Sequence, residues 1–114
     1  MDAQVKRFSP SPEYKIPHMG WNQVIPQCDH SLFWGNENQS MTAWRFYFVH
    51  SYYMQCQHAQ DVLATAVHGR EFACAIGRGH VAGLQFHPEK SHRFGLMLLK
   101  NFALYGISRE QVDQ

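Results

Sequence analysis

Apolar and polar positions mostly alternate in short runs along the chain, and only the final run adopts a helical period. Gln4 to Phe8 alternates and predicts an edge strand. Ser9 to Tyr14 (SPSPEY) carries two prolines and two serines, which favour turn or extended backbone. Met19 to Ile25 (MGWNQVI) has the aromatic and β-branched content of a strand, ended by Pro26. His30 to Asn36 predicts a single helical turn closed by Gly35. Trp44 to Tyr53 (WRFYFVHSYY) is too continuously apolar for one wet face and predicts a central strand. Asp61 to Val67 and Glu71 to Phe86 predict three more strands, with His68-Gly69-Arg70 and Gly77-Arg78-Gly79 as the turns between them. In Ser91 to Tyr105, the residues Phe94, Met97, Leu98, Phe102 and Tyr105 recur at helical spacing and predict a core-packing stripe. Ser91 is placed to cap that helix and Gly106 to end it.

Many strands and one helix make an unbalanced inventory. Parallel strands need crossover connections, usually helices, and only one is predicted. The pattern alone places the chain in the α/β or α+β class and suggests that part of its domain lies outside the chain.

Composition narrows the function classes. A length of 114 residues suits one domain or part of one. With 45% hydrophobic and 17% charged residues the chain is globular. A net charge of +1 without a basic stripe argues against nucleic-acid binding, and no apolar run is long enough to cross a bilayer. The N-terminus lacks the apolar centre of a signal peptide, so a cytoplasmic location is expected. Three cysteines without a Cys-x-x-Cys pair fit reduced thiols.

Among the eight histidines, His87 carries the strongest chemical signal. In GLQFHPEKS it follows a buried strand, Pro88 stiffens the backbone, and Glu89 lies two residues on. A buried imidazole held by a carboxylate keeps one tautomer and is stabilised when charged, as a proton relay requires. A structural, hydrogen-bonded histidine would show the same pattern. Metal binding is not expected: His87, Glu89 and His92 match neither His-x-x-x-His nor the zincin pattern, and Cys56 and His58 lack a second pair. Gly77 to Gly83 does not open a helix, so it is a hairpin turn and not a dinucleotide loop. Arg45 and Arg93, interleaved with aromatics, are read as core and rim, not as a base-stacking surface.

Two segments carry a family resemblance. KIPHMGWNQV (Lys15 to Val24) and GLQFHPEKS…GLMLLKNF (Gly83 to Phe102), with YFVHSYY between them, resemble the glutaminase subunits of imidazole glycerol phosphate synthase. These are class I glutamine amidotransferases of histidine biosynthesis. His-Pro-Glu is common to many class I amidotransferases, whereas PHMGWN is narrower. The resemblance runs from about residue 3 to residue 102 and implies a doubly wound α/β domain. This chain would be its C-terminal half, holding the later, more antiparallel strands and the closing helix, with Met1 an internal methionine. The family's Gly-x-Cys-x-Gly nucleophile elbow and its glycine-rich oxyanion loop are absent. Cys28, Cys56 and Cys74 lack the flanking glycines that such an elbow needs.

The same resemblance implies site residues. His87 would be the general base and Glu89 its orienting carboxylate, acting on a thiol supplied from elsewhere. Backbone groups at Ser51 and Tyr52 would hold glutamine. His18, Met19, Trp21, Asn22, Tyr47 and Lys90 would face a cyclase subunit, a (β/α)-barrel that consumes the ammonia. No cofactor is implied. A non-catalytic docking relative, or another class I amidotransferase, are the competing readings. Retention of His87 and Glu89 speaks against the first, and PHMGWN against the second.

Overall fold

The computed structural model describes residues 1–9, 11, 13–35 and 44–107. Of the elements expected from sequence, Asn36 in the first helical turn and Pro10 and Pro12 in the Ser9–Tyr14 loop lie outside them. The described strands are β1 (Ala3–Arg7), β2 (His18–Pro26), β3 (Trp44–His50), β4 (Tyr52–Cys56), β5 (Val62–Val67), β6 (Glu71–Arg78) and β7 (Val81–Leu84). One α-helix, α1 (His92–Tyr105), closes the chain, and Ser31–Phe33, Ala59–Asp61 and Pro88–Lys90 form 3-10 turns.

Alternation decides how β2 and β3 lie. Their antiparallel register pairs His18 with His50, Gly20 with Phe48, and Val24 with Trp44. In β3 the residues Trp44, Phe46, Phe48 and His50 are buried while Arg45 and Val49 are exposed. The strand is therefore two-faced and not sandwiched on both sides. The strands follow the order β1-β4-β6-β5-β2-β3, with β7 added to β6, and every described pairing is antiparallel. This places β3 at one end of the sheet, which corrects the expectation of a central strand. The expected single strand Trp44–Tyr53 is also two strands. It breaks at Ser51 because His50 Nδ1 reaches over to the Tyr52 carbonyl at 2.7 Å and the Ser51 carbonyl accepts from the Phe8 N–H at 3.0 Å. Both carbonyls are thereby turned away from a continuous β3 ladder.

The buried face holds Phe46, Phe48, Leu63, Phe72, Phe86, Phe94 and Leu98 among others. The rings of Phe46 and Phe86 stack at 4.0 Å between centroids. Burying each such ring stabilises the fold by about 2 kcal/mol. Buried Asp61 is satisfied by the Arg78 guanidinium, which donates to both carboxylate oxygens at 3.0 and 2.8 Å. That fork geometry is what makes a buried carboxylate tolerable.

Helix α1 departs from its expected stripe. Phe94 and Leu98 are buried, but Phe102 and Tyr105 are about half exposed, and Asn101 is buried in their place. The Asn101 amide donates to the Leu32 and Trp34 carbonyls at 3.0 and 2.8 Å, tying α1 to the Ser31–Phe33 turn. A polar residue thus occupies the inward position because it satisfies carbonyls that would otherwise be buried alone. The expected β6–β7 turn at Gly77-Arg78-Gly79 is displaced too. Gly77 and Arg78 remain in β6, and the chain turns at Gly79, where φ is +61°. Gly77 is a packing glycine: a Cβ there would meet Leu63 Cδ1 at 2.8 Å.

Candidate active site

The segment after β7 is positioned by backbone before any side chain acts. The His87 N–H donates to the Tyr47 carbonyl at 2.9 Å, bridging the segment to β3. Pro88 then opens the 3-10 turn Pro88–Lys90, in which the Lys90 N–H returns to the His87 carbonyl at 3.1 Å. Ser91, completely buried, closes the arrangement. Its hydroxyl donates to the His87 carbonyl at 2.6 Å and accepts from the Tyr47 N–H at 2.9 Å. Ser91 therefore does not cap α1 with its side chain as expected, although it stands at the N-cap position. Its one hydroxyl proton is committed to the His87 carbonyl, and its oxygen is used to hold β3 against the turn.

On this frame the His87 ring meets the Glu89 carboxylate, with Nδ1 3.0 Å from Oε2. The Glu89 backbone N–H and the His87 imidazole hold the Glu89 carboxyl below its usual range. A carboxylate there fixes the proton on Nδ1 and leaves Nε2 as the nitrogen able to take another. The His87 side chain is 35% exposed and that of Glu89 61%, so the relay is open to solvent in this chain and not buried as expected.

Ser51 and Tyr52 form the β3–β4 junction. Both of their carbonyls are tied inward by the bonds to Phe8 and His50, while the Tyr52 side chain is exposed.

The six residues expected to face a partner separate into two groups. Met19, Trp21 and Tyr47 share the outer face of β2–β3, with Trp21 paired across to Tyr47 and Met19 to Val49. Trp21 stacks on His92 at 5.6 Å and meets Tyr47 edge-on at 6.4 Å. Lys90 is exposed at the end of the His87 turn. His18 and Asn22 occupy the opposite face, because each lies an odd number of positions from Met19 and Trp21 and successive side chains along β2 point to opposite sides. His18 is 4% exposed and bonded to His50, and the Asn22 amide donates to the Val67 carbonyl at 2.7 Å. A surface role for His18 is thus replaced by an interior one.

Sequence reasoning missed His92 and Gly95. His92 begins α1 with φ +49°, a conformation rare for a residue with a side chain. Gly95 packs directly on the Pro88 backbone. Spacing alone gave no sign of either, since neither shows itself until the helix is docked on the turn.

Burial raises the Cys74 thiol far above its ordinary value, and burial followed by the charge of Asp61 raises Cys56. Raised thiols make poor nucleophiles. Among the described residues, no group of three or more His, Cys, Asp or Glu could hold a metal ion, and no helix is long and apolar enough to cross a membrane.

The model of the class-I glutamine amidotransferase family matches residues 4–105. The chain is 49% identical over 102 residues to imidazole glycerol phosphate synthase subunit HisH 2 of Pseudomonas aeruginosa, covering 90% of this chain and 48% of that protein. It is 52% identical over 87 residues to subunit HisH of Bdellovibrio bacteriovorus, covering 76% and 41%. With subunit HisH of Acinetobacter baylyi the identity is 43% over 106 residues, covering 93% and 50%. The chain spans about half the length of the curated relatives it matches.

Proposed function

The chain belongs to the class I glutamine amidotransferase family, and on that premise we propose that it supplies the base half of a cysteine-dependent glutaminase. The observation that carries this reading is the contact of His87 Nδ1 with Glu89 Oε2 at 3.0 Å, on a turn held by Tyr47 and Ser91. Its relatives are named as subunits of imidazole glycerol phosphate synthase. We assign this chain to the same kind of assembly.

In this reading a thiol from polypeptide outside the 114 residues gives its proton to His87 Nε2, and the thiolate attacks the side-chain amide carbon of glutamine. His87 then protonates the departing ammonia. Water, deprotonated by the same nitrogen, hydrolyses the thioester to glutamate and returns the thiol. Glu89 holds the imidazole in the required tautomer and stabilises the imidazolium formed at each step. Backbone at Ser51 and Tyr52 holds the glutamine, and Met19, Trp21, Tyr47 and Lys90 face a cyclase subunit that consumes the ammonia.

The test is to assemble the chain with a nucleophile-bearing Gly-x-Cys-x-Gly segment and the cyclase, and to measure glutamate release. His87→Ala should lower the rate by about a hundred- to ten-thousand-fold, the contribution of a general base. Glu89→Gln should lower it less. Full activity in His87→Ala would overturn the assignment.

A further inference from the structure

Behind the Ser51–Tyr52 junction lies a group of imidazoles that the proposed chemistry does not use. His18 and His50, cross-strand partners on β2 and β3, are both buried, and Nδ1 of His18 lies 2.9 Å from Nε2 of His50. His68 stacks on His18 at 4.2 Å between centroids and reaches the Lys15 carbonyl with Nε2 at 2.7 Å. Phe8, Phe48 and Phe72 wall the group.

The protons on this line can be assigned because both of its ends rest on backbone groups. A carbonyl only accepts, so the 2.7 Å contact to the Tyr52 carbonyl requires a proton on His50 Nδ1. Neutral His50 then has a bare Nε2, and His18 must donate to it from Nδ1. Neutral His18 has a bare Nε2 in turn, which accepts from the Asn22 amide at 3.2 Å. The orientation of that amide is itself fixed, since its nitrogen donates to the Val67 carbonyl at 2.7 Å and its oxygen accepts from the Gln23 N–H at 2.7 Å. Every donor on the line thus points the same way, from Asn22 through His18 and His50 to Tyr52.

We infer that His18 is a positioning residue for the glutamine-binding turn: by donating to His50 it enforces the one His50 tautomer whose Nδ1–H holds the Tyr52 carbonyl. The inference rests on the proposed reading of Ser51 and Tyr52 as substrate contacts, and it deepens that reading. With the Ser51 carbonyl held by Phe8 and the Tyr52 carbonyl by His50, the turn is fixed from both sides. A proton added to either ring would set two N–H groups against each other, at the His18–His50 contact or at the Asn22–His18 contact. The titratable groups that act on the pair are His68, stacked on one side of His18, and His87, toward His50. Both are basic, so neither favours a charged imidazole. Burial, joined by His68 and His50, lowers His18 to about 4.

The test uses the complete glutaminase assembly containing this chain. His18→Phe keeps a ring between Phe48 and His68 and removes the donor, whereas His18→Asn returns an N–H near the Nδ1 position. His18→Phe should raise the KM for glutamine about five- to ten-fold, as expected for one buried hydrogen bond, with kcat changed less than KM. His18→Asn should recover most of the loss. Nitrogen-15 spectra should show His50 protonated at Nδ1 and bare at Nε2 in the unaltered assembly, and a mixture of tautomers in His18→Phe. If His18→Phe does not assemble, Asn22→Leu tests the line from its other end and should raise KM in the same direction. An unchanged KM with an unchanged His50 tautomer would overturn the inference, as would a kcat loss at constant KM. An unaltered assembly that hydrolyses no glutamine would instead sink the functional reading, and the His50 nitrogen pattern alone would then decide whether His18 sets the tautomer.

Discussion

Gly95 of α1 lies so close to Pro88 that a Cβ added to it would fall 2.7 Å from the Pro88 carbonyl carbon. The obstacle is backbone on both sides and cannot swing away. Gly95→Ala must therefore lift α1 from the turn that carries His87 and Glu89. Overpacking of this kind costs about 3 kcal/mol, and a misplacement of about 1 Å at a reacting group lowers rates about a hundred-fold. Both losses should appear in Gly95→Ala in the glutaminase assembly, by denaturation and by glutamate release. Gly83→Ala is the matched control, since its Cβ would meet only Ile76 Cγ1 at 3.7 Å, an ordinary contact. Equal behaviour of the two variants would show that the close approach has no consequence.

Stability should depend on pH through His18. Its folded value lies at about 4 against an ordinary 6.5, so the unfolded chain binds a proton that the folded one refuses. The contribution is complete above about pH 6.5 and is lost progressively as pH falls toward 4. Between pH 7.5 and 5 the loss from this group is about 2 kcal/mol. Urea unfolding of the assembly at the two pH values measures it, and His18→Phe should flatten the dependence. A stability that is level across this window would contradict the neutral pair.

Trp21 tests the outer face of β2–β3. It is 40% exposed beside exposed Met19 and Val49, and it stacks on His92 next to the His87 turn. Trp21→Ala should weaken binding of the cyclase by about 2 kcal/mol, roughly thirty-fold in Kd, if the tryptophan is a central anchor. Titration calorimetry with the cyclase reads this directly. An unchanged Kd with the fold intact would remove Trp21 from the interface.

Thiol labelling checks the claim that Cys74 is not the nucleophile. Cys74 is 1% exposed and its thiol is raised by burial, whereas Cys56 is only partly buried. Iodoacetamide should modify Cys56 well before Cys74, and Cys74 should react only as the protein unfolds. Mass spectrometry of peptides resolves the two. Rapid, glutamine-protected labelling of Cys74 would contradict the assignment.

What could be read from the chain alone divides along a physical line. Local period exposed β2, the β5–β6 hairpin with its turn at Gly69, and α1, because each is set by neighbouring residues. The break at Ser51 was invisible because it depends on a His50 side chain and on Phe8, more than forty residues away. Helix period marked Phe102 and Tyr105 as core, but docking against the Ser31–Phe33 turn selected Asn101. At the site, the closeness of His87 and Glu89 was legible in His-Pro-Glu, since two residues on one short turn must lie near each other. The division of the PHMGWN segment into an outer Met19 and Trp21 and an inner His18 and Asn22 follows from strand alternation, and the alternation itself was legible. The depth of the inner face was not, because His50, His68 and Phe72 come from three other places in the chain.

The central claim is that His87 and Glu89 are the base half of a relay whose thiol comes from outside this chain. Ammonia release from glutamine by Met1–Gln114, measured with and without a Gly-x-Cys-x-Gly segment in the presence of the cyclase, tests it most directly. No release is expected from the chain by itself, and release dependent on both His87 and the added cysteine is expected once the segment is supplied. Release by the chain alone, abolished by Cys74→Ser, would contradict the claim.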